Sequence, residues 1–323
     1  MATQSSANQP LISAAVCTYN RCESLRETLA SLRAQRLPSG ATMEILVIDN
    51  NSHDQTPQVV KEAAQASRWP LRYVKEPNQG IAYARNRALL SAHGTCVAFI
   101  DDDAVAEPDW IASLARCLEE TRADLIGGRI LPHWLAPRPS WLSDDLLGPV
   151  TSLDFGPTRK RCTRELFLTT NCAVRRSSMT RYGMFDTTLG RRGERWVGGE
   201  DFELCQRWLH AGASVVYEPT AVVRHTVSPE RLTPAFYRRW FQDIGYTQAH
   251  QFDGKWHHAW SIVPLWRWRE LAAASLRYLR TRVLPSSEEA KLQTEFWWVY
   301  ERSFVRERFD HWRGKEPCHF VKA

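Results

Sequence analysis

Short, almost wholly apolar runs recur through the N-terminal third of this chain, at Leu11 to Thr18, Met43 to Ile48, Leu71 to Val74 and Thr95 to Ile100. Between them lie segments of helical periodicity, predicted over 23–36 with Leu25, Leu29 and Leu32 on one face, then 56–67, then 80–93. A fourth helix is predicted over Trp110 to Thr121, introduced by Pro108. Strands apolar on both faces cannot border water, and their alternation with helices demands a mostly parallel, doubly wound α/β sheet covered on both sides. In such sheets ligands bind outside the carboxyl ends of the strands. The residues just after each run are therefore the ones to read for chemistry.

Further along, the pattern breaks into Pro, Trp, Ser and Asp from Pro132 to Arg164, which predicts a long loop or lid. Regularity resumes at Leu166 to Val174. Glu200 to His210 reads as a helix, Val215 to Tyr217 as a last strand, and Pro229 onward as helix-rich. The 323 residues, 43% hydrophobic and 24% charged, have room for a sizeable core and exclude a disordered, collagen-like or disulfide-scaffold chain. No run approaches the roughly 18–20 apolar residues of a membrane span. Met1 to Pro10 is a polar leader without the pattern of a secretory signal. The eight cysteines, Cys17, Cys22, Cys96, Cys117, Cys162, Cys172, Cys205 and Cys318, form no CxxC pair and read as buried thiols of a reducing, cytoplasmic compartment.

Polar and acidic residues collect at the predicted strand ends: Thr18-Tyr19-Asn20-Arg21, Asp49-Asn50-Asn51-Ser52, Glu76-Pro77-Asn78-Gln79-Gly80 and Asp101-Asp102-Asp103. Neither GxGxxG nor GxxxxGK[ST] follows the first strand, so a dinucleotide fingerprint and a P-loop are both unsupported. Three adjacent aspartates repel one another without a cation. Two of them can hold a hard divalent ion that also grips a diphosphate; the alternative is an acidic turn before the helix at Pro108. Asp49 can accept from a nucleobase imide or simply close a turn. Arg85 can reach a diphosphate oxygen or serve as a surface arginine. Glu200-Asp201, after Gly198-Gly199, can supply a general base or favour a helix macrodipole. His225 can be a metal ligand or a satisfied core histidine.

Taken together these segments resemble glycosyltransferase family 2, the inverting nucleotide-sugar transferases with the GT-A fold. The resemblance runs from about Leu11 to His225 and rests on Cys17-Thr18-Tyr19-Asn20-Arg21, Val47 to Thr56, Asn78-Gln79-Gly80 with Ala84-Arg85-Asn86, Phe99 to Asp103, and Gly199 to Leu204. It implies a GT-A catalytic domain over 11–228, with a nucleotide-sugar half at 11–131 and an acceptor half at 132–228, followed by a helical extension over 229–323. By the same resemblance Thr18 and Asp49 bind the nucleoside, and Arg85 and Asp102 hold ribose and diphosphate. Asn20, Arg21, Asn78, Gly80 and Asp101 belong to the same donor site. Asp103 binds Mn²⁺ or Mg²⁺ with His225 as a further ligand, and Asp201 is the catalytic base supported by Glu200. Trp196, Gly198 and Gly199 fall on the acceptor side. The implied reaction moves a sugar from a nucleotide sugar, a UDP-sugar ahead of a GDP-sugar, to a saccharide, lipid-linked or other acceptor hydroxyl in polysaccharide or glycoconjugate synthesis. A nucleotidyltransferase would show a glycine-rich phosphate loop after the first strand, and Thr18 to Cys22 contains no glycine. A non-catalytic carbohydrate-binding protein would not need Asp103 or Asp201.

Between Lys255 and Lys315 stand seven of the 14 tryptophans, with twelve Lys or Arg against seven acids, a balance of +5 out of a chain total of +6. Such helices either lie peripherally on an anionic membrane surface or bury their tryptophans against the rest of the chain or a second subunit. Trp134, Trp141 and Trp196 stack on sugar faces or anchor the lid. Nucleic-acid binding is not expected, because acids are spread among the basic residues and no recognition module is present.

Overall fold

The computed structural model describes residues 12–164, 167–191, 198–251 and 262–313. Three buried strands, β1 (Ile12–Thr18), β2 (Met43–Asp49) and β4 (Cys96–Asp101), with the more exposed β3 (Leu71–Lys75), form the parallel half of one nine-stranded sheet. Between them run α1 (Cys22–Arg33), α2 (Thr56–Gln65) and α3 (Ile81–Ser91). The helices form where the 3.6-residue spacing was read; α1 turns Leu25, Thr28, Leu29 and Leu32 inward. Both faces of β1, β2 and β4 are covered, which is why they are apolar throughout. The parallel register pairs Thr18 with Asp49 and Cys17 with Asp101, so three polar strand ends share one edge.

Beyond β4 the sheet becomes antiparallel, in the order β3-β2-β1-β4-β8-β6-β9-β5. The added strands are β5 (Ala104–Ala106), β6 (Leu125–Trp134), β8 (Asn171–Arg175) and β9 (Val215–Val227), with the two-residue β7 (Lys160–Arg161) beside β9. The helices of this part are α4 (Trp110–Thr121), α5 (Arg176–Tyr182) and α6 (Glu200–His210). β9 is far longer than the predicted Val215 to Tyr217, because its second half alternates buried and exposed positions through Arg224 and Thr226 instead of staying apolar. β6 was not anticipated, since Gly127, Gly128 and Pro132 are poor strand formers. The glycine is required by packing: a Cβ on Gly128 would stand 2.4 Å from the Ala221 carbonyl oxygen and 2.3 Å from Asn171 Nδ2. That side chain ties the strands together. Asn171 Nδ2 donates to the carbonyls of Arg129 (2.9 Å) and Ala221 (2.8 Å), and its Oδ1 accepts from the indole of the buried Trp110 (2.8 Å).

The chain divides into two compact units: the described residues of Met1–His133, Thr151–Leu189 and Glu200–Thr226 form one, and those of Trp134–Val150, Gly190–Gly199 and Val227–Ala323 the other. The second contains α7 (Pro234–Gln251), α8 (Leu265–Val283) and α9 (Glu288–Trp312). The segment read as a lid contributes two 3-10 turns, Asp144–Leu146 and Gly148–Val150, and packs Trp141, Leu142, Leu146 and Val150 with Tyr237, Phe241 and Phe296. Trp141 meets Tyr237 edge-on at 5.0 Å between ring centres, so it is an anchor and not an open sugar platform. No described helix is long and apolar enough to cross a membrane. The leader Met1 to Pro10, Trp196, Trp256, Trp260 and Cys318 lie outside the described residues.

The Gly128 contact sets an expected outcome for stability. Gly128→Ala lowers the unfolding free energy by roughly 1–3 kcal/mol in a urea titration, as overpacking does. Gly198→Ala, where the added Cβ meets nothing within 4 Å, changes it by less than about 0.5 kcal/mol.

Candidate active site

The site grows from the shared edge of β1, β2 and β4. Past Asp101 the chain turns through Asp102 and Asp103 into β5, which pairs with β9 so that Ala104 faces His225. The Thr226 amide donates to the Asp103 carbonyl at 2.9 Å and locks that register. His225, itself buried, thereby brings Nε2 to 3.3 Å from Asp103 Oδ1. One ligand atom each from Asp101, Asp103 and His225 falls within 4.8 Å of the others. Two carboxylates and an imidazole are a donor set that fits an Mn²⁺ or Mg²⁺ ion.

Positive charge is already present among these acids. Arg21 Nη1 lies 2.7 Å from Asp103 Oδ2 and 3.2 Å from Asp102 Oδ1, and those two neighbours, Asp102 foremost, hold its proton more tightly than usual against the cost of burial. Burial pushes the Asp102 carboxyl up to about 7; Arg21 opposes this and Asp103 adds to it.

A second charged group joins the first from the opposite side. Arg85 on α3 is buried and ion-paired with Glu200 in the first turn of α6, and its other Nη stands 3.8 Å from Asp101 Oδ1. The second Asp101 oxygen accepts from Thr170 Oγ1 at 2.5 Å. Burial weighs against charge on Arg85, but Glu200, Asp101 and Asp201 outweigh it and fix the guanidinium in its charged form. Asp201 follows Glu200, and its Oδ1 accepts from the Phe202 amide at 2.9 Å. Burial and then Glu200 push its carboxyl up to about 7, against the pull of Arg85. In the structure Arg85 is therefore turned to Glu200 and Asp101 as a buried counter-charge. Gly199, with φ of +96°, leads into α6; Gly198 has open space around its α-carbon, and Trp196 lies outside the described residues.

The residues that the resemblance assigns to the nucleoside form a hydrogen-bonded collar. Asp49 is fully buried: one oxygen accepts from the Ser52 amide at 2.8 Å, the other from the Tyr73 hydroxyl. Thr18, its partner in register, is also buried. Asn20, in a left-handed conformation with φ of +51°, accepts from the His53 amide through Oδ1 at 2.7 Å and so joins the loops after β1 and β2. Sequence reading missed Asn50, which organises the next loop. Its Nδ2 donates to the Asn78 and Glu76 carbonyls at 2.7 and 3.2 Å, and its Oδ1 accepts from the Gly80 amide at 2.8 Å. Glu76 completes the loop by accepting from both Asn78 nitrogens at 2.8 Å. An asparagine directly after a strand-end aspartate was the available signal, since its amide can cap two neighbouring loops at once.

A hydrogen-bonded collar of strand-end loops thus stands beside an acidic, imidazole-bearing cluster. Residues 13–188 match the profile of Glycosyl transferase family 2, more than half of the chain, and the protein belongs to that family. It is 29% identical over 218 residues to the glucosyl-dolichyl phosphate glucuronosyltransferase of Haloferax volcanii, covering 66% of this chain and 68% of that one. It is 29% identical over 253 residues to the succinoglycan biosynthesis protein ExoM of Rhizobium meliloti, covering 77% and 78%. Among solved structures it resembles the mannosyltransferase PcManGT of Pyrobaculum calidifontis in complex with GDP-Man and Mn²⁺, with a TM-score of 0.62 at 20% identity over 96% of this chain and 89% of that one. The fold is thus that of the GT-A transferases, and the protein is a glycosyltransferase.

The Arg85–Glu200 pair carries a stability consequence that can be measured directly. Arg85→Met leaves a buried carboxylate without its partner and lowers the unfolding free energy by about 3–5 kcal/mol, whereas the double variant Arg85→Met/Glu200→Leu recovers part of that loss, since Asp101 and Asp201 still lack their counter-charge. A double-mutant cycle in guanidinium reads the coupling; additive losses would show that the two side chains do not act as a pair.

Proposed function

We propose that this glycosyltransferase is a metal-dependent, inverting enzyme that takes its sugar from a UDP-sugar and delivers it to a hydroxyl of a saccharide or lipid-linked acceptor. The observation that carries this reading is the joining of two groups through Arg85: the Asp101, Asp103 and His225 donors on one side and Glu200-Asp201 on the other. A leaving-group site and a base site then lie within one short network.

Asp49 and Thr18 hold the nucleoside. Each carboxylate oxygen can accept more than one hydrogen bond, so Asp49 can take the imide N–H of uracil while keeping its Ser52 contact. Asp101, Asp103 and His225 would hold a divalent cation, which when bound would supply neutralisation of the charge that develops on the departing diphosphate. Arg21, already among these acids, orients the same oxygens. Asp201 removes the proton from the acceptor hydroxyl as that oxygen forms a bond to the anomeric carbon. The bond from that carbon to the diphosphate oxygen breaks on the opposite face, so the configuration inverts and no covalent intermediate is needed. Glu200, neutralised by Arg85, keeps Asp201 at the start of α6. The relatives' names support a glycan acceptor, one acting on a dolichyl phosphate-linked sugar and one in succinoglycan synthesis. Five buried cysteines fit a reaction on the reducing, cytoplasmic side.

A panel of UDP-, GDP- and dTDP-sugars with Mn²⁺, read by release of nucleoside diphosphate with and without saccharide acceptors, tests the assignment. Turnover of a UDP-sugar is expected, and failure of every donor to bind would overturn the reading. Chelation of the metal is expected to abolish turnover, and Asp103→Ala to weaken Mn²⁺-dependent nucleotide binding roughly 10–100-fold.

Asp201→Asn is expected to lower kcat by roughly 10²–10⁴-fold while nucleotide affinity stays within about twofold. Full activity in that variant would remove Asp201 from the role of base. The base works deprotonated, and its carboxyl is pushed up to about 7, so kcat/KM should fall about tenfold per pH unit below that value and level off above it. A profile flat down to pH 5 would contradict the assignment.

A further inference from the structure

We propose that α8 is a docking helix for an anionic membrane surface, lying in the headgroup layer along its outward face. The inference rests on the helical unit alone and is independent of the catalytic reading.

One side of α8 packs inward: Arg267 and Ala274 are buried, and the Arg267 guanidinium binds both Glu301 oxygens at 3.0 and 3.1 Å and the Tyr300 hydroxyl at 3.2 Å. The opposite side is apolar as well. Leu265, Ala272, Leu276, Leu279 and Val283 follow one another at spacings of 7, 4, 3 and 4 residues, which is one face of an α-helix. All five are exposed, with Leu265 at 78%, Leu276 at 70% and Val283 at 80%. Trp268 at 41% stands beside this stripe and Leu284 at 50% continues it. A single exposed leucine is ordinary; a stripe along the whole of a 19-residue helix, about 28 Å at 1.5 Å per residue, is not.

Charge decides between occupants. The helix carries five arginines against one glutamate, and Arg269, Arg277, Arg280 and Arg282 are exposed. Arg269 and Arg280 flank the same edge of the stripe. Two copies of the chain paired antiparallel through this face would set arginine flank against arginine flank, which costs rather than contributes binding energy. Arg282 already pairs with Glu295 at 2.8 Å; anionic headgroups would pair with Arg269 and Arg280 along the stripe, while the leucines and Trp268 enter the acyl boundary. The helix is too charged to span, so it lies in the plane of the surface.

The test uses the full chain with vesicles of phosphatidylcholine alone or enriched in phosphatidylglycerol, read by co-sedimentation, with solution mass from light scattering. Roughly tenfold or more preferential pelleting with the anionic vesicles is expected, weakening as salt rises. Leu276→Ser/Leu279→Ser/Val283→Ser should lose that pelleting at an unchanged Tm, since all three side chains are exposed. Arg269→Gln/Arg277→Gln/Arg280→Gln should lose the preference for anionic lipid. Equal pelleting with both vesicle types, or undiminished pelleting of the serine variant, would overturn the proposal. A native dimer that the serine variant converts to monomer, with no vesicle binding by either, would assign the stripe to a second copy instead.

Discussion

Five carboxylates converge at the end of β4, Asp101, Asp102, Asp103, Glu200 and Asp201, and two guanidiniums stand among them. Five less two leaves three formal negative charges in a largely buried region. Like charges at such range cannot all stay ionised without compensation. Arg85 and Arg21 supply part of it, each from a different strand-end loop or helix. The rest is expressed in two ways: Asp102 and Asp201 are pushed toward neutrality, and the donor set of Asp101, Asp103 and His225 is arranged to take a cation. Arg21 lies against an oxygen of Asp103, so the guanidinium and the donor set share one carboxylate.

The scaffold produces this convergence by register. Parallel pairing aligns Thr18, Asp49 and the Asp101 region on one edge, and no loop has to be stretched to bring them together. The antiparallel half then brings in residues that are remote in sequence. Pairing of β5 with β9 delivers His225, and the β4–β8 pairing, with Ile100 opposite Asn171, sets Thr170 against Asp101. A helix start delivers Glu200, whose side chain meets Arg85 across 115 residues of chain, and Asp201 beside it.

Legibility in the sequence followed these same physical lines. The parallel strands could be read because burial on both faces leaves an uninterrupted apolar run, and the acidic trio because three like charges in a row need an explanation. β6 and the second half of β9 could not, because Gly127, Gly128, Arg224 and Thr226 break every simple pattern; their pairing is decided by a neighbouring strand, not by local preference. The Arg85–Glu200 pair was likewise invisible. Each residue had a plausible local role, on a helix near a phosphate and in a helix's first turn, and only the fold places them side by side. Trp141 shows the reverse case, an aromatic in an irregular segment whose role is settled by the rings of Tyr237 and Phe296.

Arginine accounts for much of the chain's behaviour through three different environments. In the sheet unit, Arg85 and Arg21 are counter-ions to an acidic site. In the helical unit, Arg267 is buried against Glu301 and stacked over Phe304 at 4.1 Å and Trp266 at 4.6 Å, so it binds two helices together through charge and aromatic contact at once. Along the outer face of α8, Arg269 and Arg280 are exposed and flank an apolar stripe. A formal charge of +6 therefore coexists with a centre carrying a negative excess. The sign of the whole chain says little about either place, because the basic surplus of the tail and the acidic surplus of the strand ends belong to different units.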